Sequence, residues 1–258
     1  MILQDRIFLV TGAGSGLGIG IAEALLEQGA SVALCDLQAD PVRQTAARLD
    51  PGGSRSLAVA ADVGDAEAVR RFVAAAAERF GQVDGLVNNA GVIAMGPALE
   101  ADRAAFDAQF AVNVAGLFLC CQALARHLIG AGRPGRIVNI ASNAGKVGFP
   151  NMAAYNASKA AVISLTRALA AEWAPQRINV NAVCPGSVLT PMLAGVADFL
   201  SPRQRVPAEA LLARMVPAQL GRHIRPLEVG RVVAFLLSDA AEIIRGQSIN
   251  VDGGEMPY

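Results

Sequence analysis

The sequence predicts an α/β domain built on a doubly wound parallel sheet of about seven strands, with helices on both faces. Three observations predict it. Short apolar runs alternate with longer stretches of helical period along the whole chain. Those runs are apolar at nearly every position, as strands buried on both faces of a parallel sheet are, rather than at every second one. A glycine-rich turn, Thr11 to Gly18, stands between the first strand and the first helix.

In order, the strands are expected at residues 7–11, 31–36, 57–62, 83–88, 136–142, 178–184 and 247–251. The first helix follows the glycine turn and is stopped by Gly29. Helices at about 41–49 and 66–80 fill the next two crossovers, the latter stopped by Gly81. A long amphipathic region, about 101–129, precedes the fifth strand, and a helix carrying Tyr155 and Lys159 follows it and ends before Pro175. Residues 185–220 have the weakest pattern and read as a mobile lid. A helix at about 226–237 leads into the last strand. Neither a linker nor a repeat divides the chain, so one domain over residues 1–258 is expected.

Composition narrows the function classes. The 258 residues are 53% hydrophobic and 17% charged, enough to bury a large core and too apolar for a disordered chain. Lys plus Arg and Asp plus Glu number 22 each with no basic stripe, which argues against nucleic acid as a partner. The four cysteines (35, 120, 121, 184) lack C-x-x-C spacing and nearby paired histidines; buried thiols are expected, with no metal site and no disulfide framework. No apolar run reaches the roughly 18 residues of a membrane span. The N-terminus runs straight into a strand without a signal-peptide pattern, so a cytoplasmic protein with no membrane partner is expected.

The chemical signals are ordered along the sheet. Thr11 to Gly18 does not satisfy the strict G-x-G-x-x-G fingerprint, and no Lys-Ser/Thr follows it as in a phosphate-loop nucleotidase. Its glycines nevertheless let backbone approach a pyrophosphate at the positive end of a helix. Asp36 ends the second strand, about 20 residues on, where a carboxylate accepts from both hydroxyls of an adenosine ribose and repels a 2′-phosphate. Position 15 is Ser and position 37 is Leu, so no base stands ready for that phosphate, although Arg43 further along the next helix could reach in. NAD(H) is favoured over NADP(H). Tyr155 and Lys159, four apart, share one helix face. The chain has only two Tyr and two Lys. Taken alone, the pair reads equally as a helix with an exposed lysine and a half-buried tyrosine.

The order of motifs decides between these readings. With Asn88-Asn89-Ala90-Gly91 at the fourth strand's end, the sequence resembles the short-chain dehydrogenase/reductase family over essentially its whole length. The resemblance rests on the glycine loop, Asp62-Val63, NNAG, Asn113, Ser142, Tyr155-x-x-x-Lys159, Pro185-Gly186 with Thr190, and the closing Asn250-Val251-Asp252-Gly253-Gly254. It implies a Rossmann-type fold and an oxidoreductase exchanging a secondary alcohol (a sugar, polyol, hydroxy acid or similar) and its ketone with NAD(H). Tyr155 would be the proton donor or acceptor, made more acidic by the Lys159 ammonium and the cofactor's charge, because free tyrosine titrates near pH ~10. Ser142 would polarise the substrate oxygen. Asn113, polar in an apolar helix, would hold a water chain from Lys159 to solvent.

The resemblance also implies a cofactor wall of Gly12, Ser15, Gly16, Leu17, Gly18, Asp36, Asp62, Val63, Asn89, Ala90, Gly91, Tyr155, Lys159, Pro185, Gly186, Val188 and Thr190. Substrate would meet Ser142, Asn143 and Tyr155. Ile93, Met95, Val147, Phe149, Met152, Met192 and Leu193 suggest an apolar pocket mouth, to which Lys146 and Asn151 would add polar contacts; Arg203, Arg205 and Arg214 stand in the lid as candidate anion ligands or as a solvated basic face. His127 and His223 read as outside the site. The family associates through the helices around Asn113 and Tyr155 and through the last strand, implying a homotetramer or a dimer. Two departures are Asn143, where Ser is frequent, and Ile244-Arg245-Gly246, where Thr-Gly is common, so that Arg245 bears on subunit contacts. Two other functions remain open: a 3-oxoacyl-carrier-protein reductase, which Asp36 disfavours because that reaction usually takes NADPH, and a non-catalytic cofactor-binding scaffold, which the intact Ser, Tyr and Lys disfavour.

Overall fold

Seven strands form one parallel sheet in the order β3-β2-β1-β4-β5-β6-β7. They are β1 (Ile7–Thr11), β2 (Ser31–Asp36), β3 (Ser56–Ala60), β4 (Gly85–Asn88), β5 (Gly135–Ile140), β6 (Ile178–Pro185) and β7 (Ser248–Val251). The computed structural model describes residues 1–256; Pro257 and Tyr258, the end of the expected 1–258 span, lie outside the described residues.

Successive side chains of a strand point to opposite faces, so one apolar run feeds two cores. In β1, Leu9 packs with Phe72, Leu86, Leu124, Leu128 and Ile137, whereas Phe8 and Val10 pack with Ile21, Leu25, Leu34, Val183 and Val233 on the other side. Continuous hydrophobicity in the strands thus follows from helices covering both faces. The order of strands reverses direction between β1 and β4, which opens a crevice at their carboxyl ends.

Local chemistry places the helices. Asp65 accepts from Glu67 N to start α3 (Ala66–Phe80), and Gly81 ends it at φ 81°, a left-handed turn that suits glycine. The first helix, α1 (Gly16–Glu27), crosses the helix Pro226–Leu236 backbone to backbone: a Cβ on Gly20 would lie 2.3 Å from the carbonyl carbon of Pro226, and one on Gly230 2.4 Å from the Gly20 oxygen. Neither clash is with a flexible chain end. Gly20→Val is therefore expected to destabilise by about 1–3 kcal/mol or more, read as a lower denaturant midpoint with an unchanged m-value.

The long region expected at 101–129 is a helix from Arg103 to Gly130 with a π-turn, Ala111–Gly116, in its middle. The turn carries Asn113 and presents Gly116 to Val63, where a Cβ would come within 2.8 Å of Val63 Cγ2. By length and composition this helix is apolar enough to cross a membrane, although Gln109, Asn113, Gln122 and Arg126 interrupt its apolar run. Here Leu117, Cys121, Leu124 and Leu128 of that helix are spent on the core.

Residues 185–220, the least patterned stretch of the sequence, contain regular structure. They hold α7 (Pro191–Gln204) and α8 (Ala208–Arg214), numbered after α4 (Arg103–Phe110), α5 (Leu117–Gly130) and α6 (Ala153–Glu172), with α2 (Ala39–Leu49) earlier in the chain. Thr190 caps α7 by accepting from Leu193 N at 3.3 Å, with Pro191 at the first helical position. Gly195 and Pro202 inside α7 break its apolar period, which hid it from a pattern reading. Two strand ends also differ from expectation: β3 stops at Ala60 and β5 at Ile140, so Asp62, Val63 and Ser142 sit in the loops beyond them.

Candidate active site

The crevice beside β1 and β4 opens into a cavity of about 890 Å³. Backbone contacts build one end of it. Asn89 donates from Nδ2 to the carbonyls of Thr11 (3.0 Å) and Gly12 (2.8 Å), while Thr11 Oγ1 accepts from Asn89 N and Ala90 N. This stitches the glycine turn to the end of β4 so closely that a Cβ on Gly12 (φ 63°) would lie 2.7 Å from Ala90 Cα. Ser15 precedes α1 in an extended conformation and makes no side-chain cap, leaving the first amides of the helix without a side-chain partner at the wall formed by Gly16 and Leu17. Gly18 stands behind the wall. Its missing Cβ admits the Gly12 oxygen, which would otherwise be 2.2 Å away.

Asp36 closes this end. Its Oδ2 accepts from Gly14 N at 2.9 Å and its Oδ1 from Gln38 N at 3.3 Å, so the carboxylate shapes the glycine turn and keeps further lone pairs toward the cavity it lines. Leu37, Asp62 and Val63 line it too. Asp62 accepts from Gly64 N at 2.8 Å. Arg43 is not on the wall; it pairs with Asp40 at 3.7 Å on the surface. An uncapped helix start, a cradle that a Cβ would fill and a carboxylate beyond it suit the pyrophosphate and ribose of a dinucleotide.

The other end holds Ser142, Tyr155 and Lys159. Ser142 caps the 3-10 turn Asn143–Gly145, accepting from Ala144 N at 3.1 Å, which fixes its hydroxyl oxygen against the wall. Burial raises the Tyr155 phenol above its ordinary value, and the neighbouring Ser142 hydroxyl only partly opposes this. In the protein alone, burial outweighs what lowers the phenol. The Lys159 ammonium sits 5.7 Å from the Tyr155 ring and is itself pulled down to about 8 by burial. Lys159 is 4% exposed, not the surface lysine of the simpler reading, and donates to Ile140 O at 2.9 Å. An ammonium has three donors, so two remain.

Asn113 lies behind the wall, 1% exposed. It donates to Val92 O (2.9 Å) and Ser158 Oγ (3.0 Å) and accepts from Val92 N (2.8 Å). A Cβ on Gly91 would sit 3.3 Å from Asn113 Oδ1 and 3.4 Å from Lys159 Nζ, so glycine leaves a gap between these two groups. Asn89, Ala90, Gly91, Pro185, Gly186, Val188 and Thr190 all line the cavity.

Of the expected mouth, Ile93, Met95, Phe149, Asn151, Met152, Met192 and Leu193 line the cavity and Val147 does not. Lys146 is also off the wall, its ammonium donating to Ser248 O at 2.9 Å. Among the lid arginines only Arg214 reaches the wall; Arg203 folds over the Phe199 ring, 3.6 Å from its centroid. His127 and His223 lie outside it, the latter with Nε2 2.9 Å from Leu212 O. All four cysteines are buried and free, and burial pushes the Cys120 thiol up to about 12. The sequence reading missed one charged wall residue, Glu255, which follows directly on the closing glycine pair.

A glycine cradle suited to a dinucleotide and a Ser–Tyr–Lys cluster line one cavity, an arrangement that fits a dinucleotide-dependent oxidoreductase. Comparison with known proteins agrees. The family model described as enoyl-(acyl carrier protein) reductase matches residues 12–255. The chain is 39% identical over 98% of its length to 2-(S)-hydroxypropyl-CoM dehydrogenase 3 of Xanthobacter autotrophicus, covering 97% of that protein. It is likewise 39% identical over 98% of its length to D-threitol dehydrogenase of Mycolicibacterium smegmatis, covering 93% of it. Among solved structures, a point variant of actinorhodin polyketide ketoreductase with NADPH superposes with a TM-score of 0.93 at 38% identity, each chain covered in full. A 3-ketoacyl-(acyl-carrier-protein) reductase from Brucella melitensis with NADH gives 0.86 at 36% identity, covering 98% of this chain and 99% of that one. The chain belongs to the short-chain dehydrogenase/reductase family.

Proposed function

We propose that the protein is an NAD(H)-dependent oxidoreductase that interconverts a secondary alcohol and its ketone, with Ser142, Tyr155 and Lys159 as catalytic residues and Asn113 supporting them. The observation that carries the reading is that Ser142, Tyr155 and the buried Lys159 ammonium, 5.7 Å from the Tyr155 ring, line the same cavity as the glycine cradle. In oxidation Tyr155 Oη takes the substrate's hydroxyl proton while Ser142 Oγ turns its one proton from Asn143 Oδ1 to the same substrate oxygen and fixes it. When bound, the nicotinamide supplies the hydride acceptor, or the donor in the reverse direction. Lys159 holds ribose hydroxyls with its remaining donors, and the Gly91 gap admits water between Lys159 and Asn113 for proton exchange. The Asn113 amide, fully engaged with Val92 and Ser158, keeps that gap open rather than titrating. The reading takes in one domain over residues 1–258 with residues 185–220 as its substrate lid, and the dehydrogenase names of both relatives support a secondary alcohol, a sugar, polyol, hydroxy acid or similar, as substrate.

Asp36, with Leu37 beside it and no cation on that wall, supports NAD(H). A fluorescence titration is expected to show NAD⁺ binding at least about tenfold tighter than NADP⁺, because a 2′-phosphate would face an unpaired carboxylate; tighter NADP⁺ binding would instead favour the 3-oxoacyl-carrier-protein reductase reading that the ketoacyl-reductase neighbour suggests. The intact catalytic cluster argues against a scaffold protein. A homotetramer in the cytoplasm completes the proposal. The stacked Phe106 and Phe110, 4.8 Å apart, and exposed Phe118 on the long helix support association, which light scattering on the purified chain tests.

A further inference from the structure

The carboxylate of Glu255 enters the substrate end of the cavity by a route built into the chain's last turn. Gly253 (φ 64°) and Gly254 (φ 83°) both take the left-handed conformation that glycine adopts without a Cβ penalty. Buried Asp252 holds the turn by accepting from Gly254 N (3.0 Å) and Met256 N (2.9 Å). Outside, Pro217 and Gln219 of the lid press on it; a Cβ on Gly253 would lie 2.8 Å from Pro217 Cβ. The turn therefore projects Glu255 inward, onto Gly186, where a Cβ would fall 2.5 Å from Oε2. Oε2 accepts from Asn143 Nδ2 at 2.7 Å and Oε1 from Ser187 N at 3.1 Å. Asn143 in turn accepts from Ser142 Oγ at 3.3 Å. The carboxylate is thus two hydrogen bonds from the hydroxyl that would hold the reacting oxygen.

Each carboxylate oxygen uses one of its two acceptor sites on the protein. What remains faces a cavity whose other carboxylates, Asp36 and Asp62, lie at the opposite end. Among the described residues no cation is paired with Glu255: Lys159 is bonded to Ile140 O, and Arg214, also on the wall, stands in no ion pair there. An acceptor-only group held in this way welcomes a hydrogen-bond donor and repels an anion.

We propose that Glu255 is a specificity-determining residue that accepts a hydrogen bond from a second hydroxyl close to the reacting carbinol, so that the protein favours polyhydroxy alcohols over simple alcohols and over hydroxy acids. This rests on the alcohol–ketone reading of the cavity. The test compares kcat/KM of the wild type, Glu255→Gln and Glu255→Ala for butan-2-ol, butane-2,3-diol and 3-hydroxybutyrate at saturating NAD⁺. In both variants the diol-to-alcohol ratio should fall about tenfold or more, the scale of a hydrogen bond to a charged acceptor, and the hydroxy acid-to-alcohol ratio should rise about tenfold. Retained turnover of butan-2-ol reports an intact fold. A uniform fall on all three substrates, as a merely structural clamp on Asn143 would give, overturns the assignment, and so do unchanged ratios. If the wild type oxidises none of the three while binding NAD⁺, the alcohol–ketone reading itself fails and takes this inference with it.

Discussion

Replacing Tyr155 by Phe is expected to lower kcat for alcohol oxidation by at least about 10³-fold, the scale of a lost general base, while NAD⁺ binds with nearly unchanged affinity. The substitution keeps the ring on the cavity wall and deletes only the phenol oxygen. The pH profile gives a second readout. Oxidation requires the phenolate, so kcat/KM rises with pH through the Tyr155 titration and levels off above it. In the free protein burial raises that titration, and a cationic nicotinamide alongside lowers it. The limb should therefore lie at lower pH in cofactor-saturated turnover than in direct titration of the free protein, and it should vanish in Tyr155→Phe. Residual turnover within tenfold of wild type, with the limb intact, would falsify the role.

Lys159→Met is expected to abolish turnover and to stabilise the unliganded fold. The ammonium is 4% exposed, and burial pulls it from its ordinary 10.5 to about 8. That difference corresponds to about 3 kcal/mol of disfavoured charge at neutral pH. Loss of the bond to Ile140 O returns about 1 kcal/mol, so a net gain of about 2 kcal/mol is expected from urea unfolding at pH 7. The sign follows from the lysine binding its proton more weakly folded than unfolded: the cost is full below pH 8 and falls as pH rises from 8 toward 10.5. The variant's advantage should therefore shrink to less than half by about pH 9.5. A variant less stable than wild type at pH 7 would show that the ammonium is better solvated than its burial implies.

The order of strands and helices was legible because a parallel sheet needs no long-range information to be seen: each strand is apolar throughout and each helix has its own cap or stop, such as Asp65 and Gly81 around α3. The helices α7 and α8 were not, since Gly195 and Pro202 erase the periodicity and α7 is fixed by its Thr190 cap and by packing on α8. Of the cavity, the glycine turn, Asp36 and the Tyr155–Lys159 spacing are local in sequence and could be read there. Whether Lys146 or Arg203 faced the cavity could not be, because a side chain's direction depends on what packs against it: Lys146 finds the Ser248 carbonyl and Arg203 the Phe199 ring.

The sequence by itself determined the sheet, its two buried faces, the glycine turn at a helix start and one face bearing a tyrosine and a lysine. All of these are set by residue types within a few positions of each other, through backbone freedom, periodicity and capping. Only the tertiary structure decided the electrostatics. It showed that Lys159 is a buried ammonium near 8, that Tyr155 is raised rather than lowered before cofactor binds, and that Glu255 meets Asn143 across 112 residues of chain. Desolvation and hydrogen bonding depend on neighbours brought together by the fold, and no spacing along the chain encodes them.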